Sequence, residues 1–279
     1  MVAAAGRLPP WPAAPEGAPE VTFLTGRRYW YQTAFCAWSL QRAVGPQWRF
    51  RFCDDGSFDQ ELATEARRLF PGSAIDLRAD VEARLDAHLP EARFPALRRQ
   101  RLTYVHLRKL TDVHAGRAGW RIVLDSDMLC FRAPTLLLDW LAAPGRPIHM
   151  TDVADAYGYP PGVLARLAGG PMPARVNVGI CGLRSDALDW DGLEAWCREL
   201  LGSHGSSYYL EQALTALIVA GQPALALPVA DYRVMPDAAE CSRPTAAVHH
   251  YVDLSKRGYF RQAWRRIADP GADGTSSDR

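Results

Sequence analysis

The stretch 121–131, RIVLDSDMLCF, decides how the rest of the chain is read. Ile122, Val123 and Leu124 form a short apolar run with β-branched members, as a buried strand does. The run stops at two carboxylates, Asp125 and Asp127, with Ser126 between them. In an open α/β sheet, ligands bind just beyond the carboxyl ends of the strands. Two acids there make a hard oxygen site for a divalent cation. The plainer alternative has Asp125 capping the next segment and Asp127 solvated. D-x-D alone is frequent by chance, so the surrounding chain has to choose between the two.

Upstream, VTFLT from Val21 reads as a first strand, followed by GRRYWYQ and a helical stretch through Phe35, Trp38 and Leu40. Trp48, Phe50 and Phe52 alternate with Arg49 and Arg51, the period of a strand. That strand ends in Asp54 and Asp55. Turn and cap chemistry accounts for one of these acids, and the other is placed to meet a nucleoside at a strand end. Ser57 and Gln60 have capping-box spacing for a helix through Leu62, Ala66 and Leu69. A third strand is expected over 73–77, then helices over 79–115 broken at Pro90 and Pro95. The order β-α-β-α-β-α-β argues for a mainly parallel sheet flanked by helices.

Downstream, LLLDWL makes a helix, and 148–151 a strand ending at Asp152. A Gly/Pro-rich loop over 158–173 precedes the strand RVNVGICGL at 175–183. Two amphipathic helices follow, the second (YYLEQALTALIVAG) carrying Glu211 and Gln212 in its first turn. Short strands are expected over 225–229 and 246–251, the latter with His249 and His250. Residues 1–19 are Ala/Pro-rich and expected to be a disordered arm, 20–267 a single catalytic domain, and 268–279 a flexible tail.

Composition narrows the function. A net charge of +1 gives no global field for nucleic acid, and no nucleic-acid partner is expected. Six scattered cysteines have neither C-x-x-C pairing nor metal-ligand spacing, which suits buried thiols in a reducing compartment. The N-terminus lacks a signal-peptide pattern, and the most apolar later stretch is interrupted by Gln222 and Pro223, so a cytoplasmic protein is expected. The segment KRGYFRQAWRRI, 256–267, mixes aromatics with arginines. It reads as a helix docked on its own domain, with weak membrane-surface association as the alternative. Of 32 basic residues only Lys109 and Lys256 are lysines, which marks both for attention.

A D-x-D, a histidine and a lone lysine can serve one chemistry. Carboxylates with imidazole suit Mn²⁺ better than Mg²⁺, and a lysine beside the ion would help neutralise a diphosphate leaving group. At this point the chain resembles GT-A-fold glycosyltransferases, most closely the family 8 type that includes glycogenin and bacterial lipooligosaccharide galactosyltransferases. The resemblance rests on LDSD, on Asn177-Val178-Gly179, on Glu211-Gln212, and on His250 followed six residues later by Lys256. It spans about 21–257 and is carried by motifs.

The resemblance implies a GT-A-like α/β fold and transfer of a sugar from a nucleoside-diphosphate donor, with a UDP-sugar expected. It implies Mn²⁺, with Mg²⁺ as the other candidate, and retention of anomeric configuration, the leaving diphosphate helping to deprotonate the acceptor. Asp125, Asp127 and His250 would hold the metal. Thr25, Tyr29, Asp54, Arg108, Asp125, Ser126, Asn177, Gly179 and Lys256 would meet the donor. Asp152, Glu211 and Gln212 would line the reacting face. The acceptor, whether glycan, lipid or protein, is left open. The chain departs from the family pattern at Asp253, where a glycine is usual, at Arg257-Gly258, and at Glu211, where Asp is usual. Two rival readings are a non-catalytic nucleotide-sugar binder of the same fold and a D-x-D metal-dependent phosphohydrolase. The second is opposed by Leu129 and by the mid-chain position of the motif.

Overall fold

Both the aromatic–arginine alternation at 48–52 and the apolar run at 121–124 become strands in the computed structural model, which describes residues 1–268. In chain order the strands are β1 (Glu20–Thr25), β2 (Arg49–Asp54), β3 (Ala74–Asp76), β4 (Trp120–Leu124), β5 (Met128–Cys130), β6 (Ile148–Thr151), β7 (Val176–Arg184), β8 (Leu225–Ala226), β9 (Tyr232–Val234) and β10 (Val248–His250). Seven form one sheet in the order β3-β2-β1-β4-β7-β6-β8. The pairs β3–β2, β2–β1, β1–β4 and β6–β8 are parallel, while β7 runs antiparallel to both β4 and β6. The mixed, mainly parallel sheet expected from the sequence is the one observed.

Helices cover both faces, which is why the central strands are apolar on both sides. One face packs on the helices Trp30–Val44 and Gln60–Leu69, with Phe23, Phe35, Phe50 and Phe52 at its centre. The other packs on the helices Arg78–His88, Pro95–Thr103, Trp190–His204 and Leu210–Val219. β7 is buried at every position but the last. A methyl group on its Gly182 would stand 2.6 Å from both Ile148 and the Trp140 ring, so this position admits only glycine without moving the helix Thr135–Ala142.

Several expectations need correction. Residues 1–19 lie on the domain. Ala5 and Leu8 are buried, the Trp11 N–H donates to the Leu69 carbonyl at 2.9 Å, and the Trp11 and Trp38 rings are 5.5 Å apart. Composition counted the alanines and prolines, but two large apolar side chains among them find partners. The helix Gln60–Leu69 is capped by Asp59, whose carboxylate accepts the Leu62 N–H at 2.9 Å, and not by Ser57, whose hydroxyl accepts the Arg27 N–H at 3.0 Å. β5 and β9 were not foreseen. They flank β10 in a small second sheet that brings the histidine strand against the segment following the D-x-D.

The segment 256–267 docks on its own domain. Tyr259, Ala263 and Ile267 are buried, and the Trp264 ring lies 5.5 Å from Phe35. Among the described residues no helix is long and apolar enough to cross a membrane. All six cysteines are buried and unpaired. The expected tail falls, from residue 269 on, outside the described residues.

Candidate metal centre and active site

β4 ends at Leu124, and the turn that follows sets Asp125 and Asp127 at the carboxyl edge of the sheet. The Asp125 N–H donates to the Gly179 carbonyl of β7 at 2.8 Å, and the Tyr251 N–H donates to the Asp127 carbonyl at 2.9 Å. The D-x-D turn is thereby pinned between the large sheet and β10. One oxygen from each acid and one nitrogen of His250 lie within 4.8 Å of one another.

The two histidines of β10 point to opposite sides, as successive strand residues must. His249 is fully engaged, with Nδ1 2.9 Å from the Tyr251 hydroxyl and Nε2 2.8 Å from Glu240. His250 Nδ1 is 3.1 Å from Asn177 Oδ1, an oxygen that also accepts the Gly179 N–H. An amide oxygen can only accept, so Nδ1 carries the proton and Nε2 presents its lone pair. That Nε2 is buried, has no hydrogen-bond partner, and lies 3.3 Å from Asp127 and 3.5 Å from Asp125. A side-chain acceptor that fixes the ring tautomer behind a bare nitrogen is how metal-binding histidines are held. The residues present therefore fit a divalent cation.

Gly179 makes this approach possible, since a methyl group there would be 2.4 Å from the His250 ring. Burial opposes charge on His250, but Asp127 and Asp125 raise its pKa above the ordinary imidazole value. Burial works against ionised Asp127 too, and His250 and then Lys256 bring it below the ordinary carboxylate value. Lys256 stands at the outer edge, 3.5 Å from Asp127 and about half exposed.

Lys109, marked in the sequence only by its rarity, completes the site. It is 4% exposed and lies 2.9 Å from Asp125 and 3.2 Å from Glu211. Burial would lower its pKa, but the two acids raise it above the usual lysine range, so it stays charged. With its charge shared between two carboxylates, one acid is in surplus. Burial, helped by Asp125 and opposed by Lys109, pushes Glu211 up to about 7. The signal was present in the composition, because Lys109 is one of only two lysines.

Toward β6 the polar chain continues. Asp152 Oδ2 accepts from Asn177 Nδ2 at 2.9 Å and from Gln212 Nε2 at 3.3 Å, and Gln212 also donates to the Ala156 carbonyl at 2.7 Å. One hydrogen-bonded string thus runs from His250 through Asn177 and Asp152 to Gln212.

The other sequence candidates have partners of their own. Ser126 bonds Thr33 at 2.7 Å, and Thr33 bonds Thr25 at 2.6 Å, so the buried Thr25 hydroxyl braces the D-x-D turn from beneath. Tyr29 is exposed at the rim, with Arg28 against its ring. Asp54 takes the turn role, accepting from the Gly56 and Phe58 N–H groups at 2.6 and 2.8 Å, and Asp55 caps Ser57 in the same loop. Arg108 donates to the Arg101 carbonyl at 3.1 Å and leans over Gly56, away from the acids that its neighbour Lys109 meets. Asp253, at the position where the family pattern has glycine, adopts φ +46°.

No family model and no curated protein matches the sequence at significance. Solved structures do match. The apo form of mouse xyloside xylosyltransferase 1 superposes with TM-score 0.54 at 12% identity, covering 86% of this chain and 97% of that one. The galactosyltransferase LgtC, in complex with donor and acceptor sugar analogues, superposes with TM-score 0.56 at 16% identity, covering 90% and 95%. The bifunctional glycosyltransferase WbbM superposes with TM-score 0.52 at 13% identity, covering 94% of this chain and 53% of that one. The chain has the GT-A fold that these glycosyltransferases share.

Proposed function

We propose that this protein is a metal-dependent glycosyltransferase that moves a sugar from a nucleoside-diphosphate donor, with a UDP-sugar as the donor and retention of configuration. The observation that carries the reading is the bare, buried His250 Nε2 facing Asp125 and Asp127, with Lys256 just outside. Asp125, Asp127 and His250 would hold Mn²⁺, the ion this mixed oxygen and nitrogen set suits best. When bound, the ion supplies positive charge for the diphosphate that departs.

The chain's own residues do the rest. Lys256 is free enough at the rim to meet a diphosphate oxygen. Lys109 pairs with Asp125 at 2.9 Å and fixes its direction from behind. Asp152 and Gln212, locked to each other and to Asn177, present a fixed polar wall on which sugar hydroxyls can be oriented. Glu211 is tied to Lys109 and buried, so it positions the floor of the site and is not free to attack the sugar. By the resemblance, the departing diphosphate helps take the acceptor proton on the same face, which is the route to retention. The acceptor is a glycan, lipid or protein hydroxyl.

The test is thermal stability against UDP, other nucleoside diphosphates and their sugars, each with and without Mn²⁺. A ligand bound at 100 times its Kd stabilises by about 2.7 kcal/mol. A shift with one nucleotide that needs Mn²⁺ is expected, and Asp127→Asn should remove it together with donor hydrolysis. Mn²⁺-dependent activity that survives Asp127→Asn would sink the assignment. Mn²⁺-dependent binding with no turnover on any acceptor or on water would favour the non-catalytic binder.

A further inference from the structure

The opposite end of the sheet, where β1, β2 and β4 begin, carries a second cluster of charge. Glu20 accepts from Arg51 Nε at 2.7 Å and Arg121 Nη1 at 3.2 Å, and its other oxygen is 3.7 Å from Arg49. Asp76 accepts from Arg51 Nη1 at 2.6 Å and Arg117 Nη2 at 2.7 Å, with Arg84 at 3.7 Å. Five guanidinium groups therefore share two carboxylates. Three of their nitrogens, Arg84 Nη1, Arg117 Nε and Arg121 Nε, are buried with no hydrogen-bond partner among the described residues. Buried donors are ordinarily paired, so an arginine cluster left this way lacks an acceptor.

A cavity of about 360 Å³ opens beside Glu20; Asp76, Arg84 and Arg117 do not line it, and of the three unpartnered nitrogens only the buried Arg121 Nε belongs to a lining residue. Arg49, Arg51 and Arg121 line it, and Trp120 and Trp140, packed edge to face at 5.8 Å, form the facing wall. A guanidinium fork matches the oxygens of phosphate and sulfate, and three forks around one cavity match a multiply charged anion. At about 30 Å³ for a water in the liquid, the space takes more than a single small oxyanion.

We propose that this cavity is a second binding site, for a phosphate- or sulfate-bearing anion gripped by Arg49, Arg51 and Arg121. Glu20 holds the forks of Arg51 and Arg121 in place, and one carboxylate against three guanidinium groups at the cavity leaves positive charge over for a ligand. Consistent with that, burial and the neighbouring Arg117 bring the pKa of both Arg84 and Arg121 below the ordinary arginine value, as expected of crowded cations without enough counter-charge. The site stands apart from the proposed sugar transfer and does not depend on it.

Inorganic pyrophosphate is the first probe, titrated into the full chain in EDTA against chloride at matched ionic strength, with melting temperature as the readout. A rise of roughly 5–10 °C is expected at about 100 times the dissociation constant, growing with the logarithm of concentration beyond it. Arg49→Gln, at the half-exposed edge of the cluster, should weaken the response at least tenfold without disturbing the fold, and Arg121→Gln should abolish it. Lys256→Ala, at the other end of the sheet, should leave it intact. No rise beyond that in chloride would overturn the proposal, as would a rise that survives Arg49→Gln and Arg121→Gln but disappears in Lys256→Ala.

Vesicles of phosphatidylcholine with and without phosphatidic acid separate the two sources of such a group. Co-sedimentation with the acidic vesicles that is lost in Arg49→Gln identifies a lipid headgroup. A pyrophosphate response without vesicle binding identifies a soluble anion.

Discussion

The two ends of the sheet solve opposite electrostatic problems. At the carboxyl end, Asp125, Asp127, Asp152 and Glu211 crowd together, and the cations among them are two lysines and an imidazole. At the amino end, arginines crowd and carboxylates are scarce. The choice of cation follows from the geometry. The slot between Asp125 and Glu211 takes a compact ammonium that can face two acids at once, where a planar fork would need more room. The amino end holds broad forks that several oxygens can bridge. A chain with 32 basic residues and only two lysines has placed both lysines at the acidic end.

The largest expected effect tests the acidic end. Lys109→Met should destabilise the fold by about 3–5 kcal/mol in urea unfolding, because it leaves the buried Glu211 and the part-buried Asp125 side by side without their counter-charge. Adding Glu211→Leu should restore part of the loss. A penalty below about 1 kcal/mol would mean that the acids tolerate each other unaided, and the contrast between the ends would collapse.

A smaller effect tests the basic end. His114 is buried, hydrogen-bonded to Ser185 at 2.8 Å, and held down to about 3 by burial and by Arg121. The unfolded imidazole titrates near 6.5. Between these values the unfolded chain binds a proton that the native chain refuses. His114 thus adds stability that is full above about pH 6.5 and is lost as pH falls toward 3, by up to about 1.4 kcal/mol per pH unit. Stability curves of His114→Gln should be flatter than wild type over this window. Parallel curves would show that neither burial nor Arg121 keeps the proton off His114.

The smallest effect sharpens the comparison from the linker that carries Lys256. Asp253→Gly should stabilise by about 0.5–1 kcal/mol, the relief of a left-handed residue less the added freedom of glycine in the unfolded chain. Chemical denaturation measures it, and a loss of stability would mean that the Asp253 side chain contributes more than its backbone costs.

Much of this architecture was legible in the residues. The apolar run ending in D-x-D, the period-two strand through Phe50 and Phe52, and the helix with Glu211 and Gln212 in its first turn are local patterns, and local patterns survive into the fold. The second sheet was not legible, because β5 and β9 are three residues long and three residues show no period. The resemblance names Arg108 for the donor and is silent on Lys109, the neighbour that reaches the acids. One residue is about 100° of helix, and motif spacing leaves such a step open. Arg49 and Arg51 read only as the alternate positions of a period-two strand, because their carboxylate partners come from β1 and β3.

Asn177 has one further consequence. Its oxygen faces His250 and the Gly179 N–H, and its nitrogen faces Asp152, so the amide has a direction, and a 180° flip would set donor against donor on the Gly179 side. A directed amide between the cation cluster and the Asp152–Gln212 wall serves as a built-in spectroscopic reporter. With ¹⁵N in asparagine and glutamine side chains, filling the cluster with a diamagnetic ion should move the Asn177 resonance most and the Gln212 resonance next. The order of those shifts would read out the wiring of the site without any substrate in the tube.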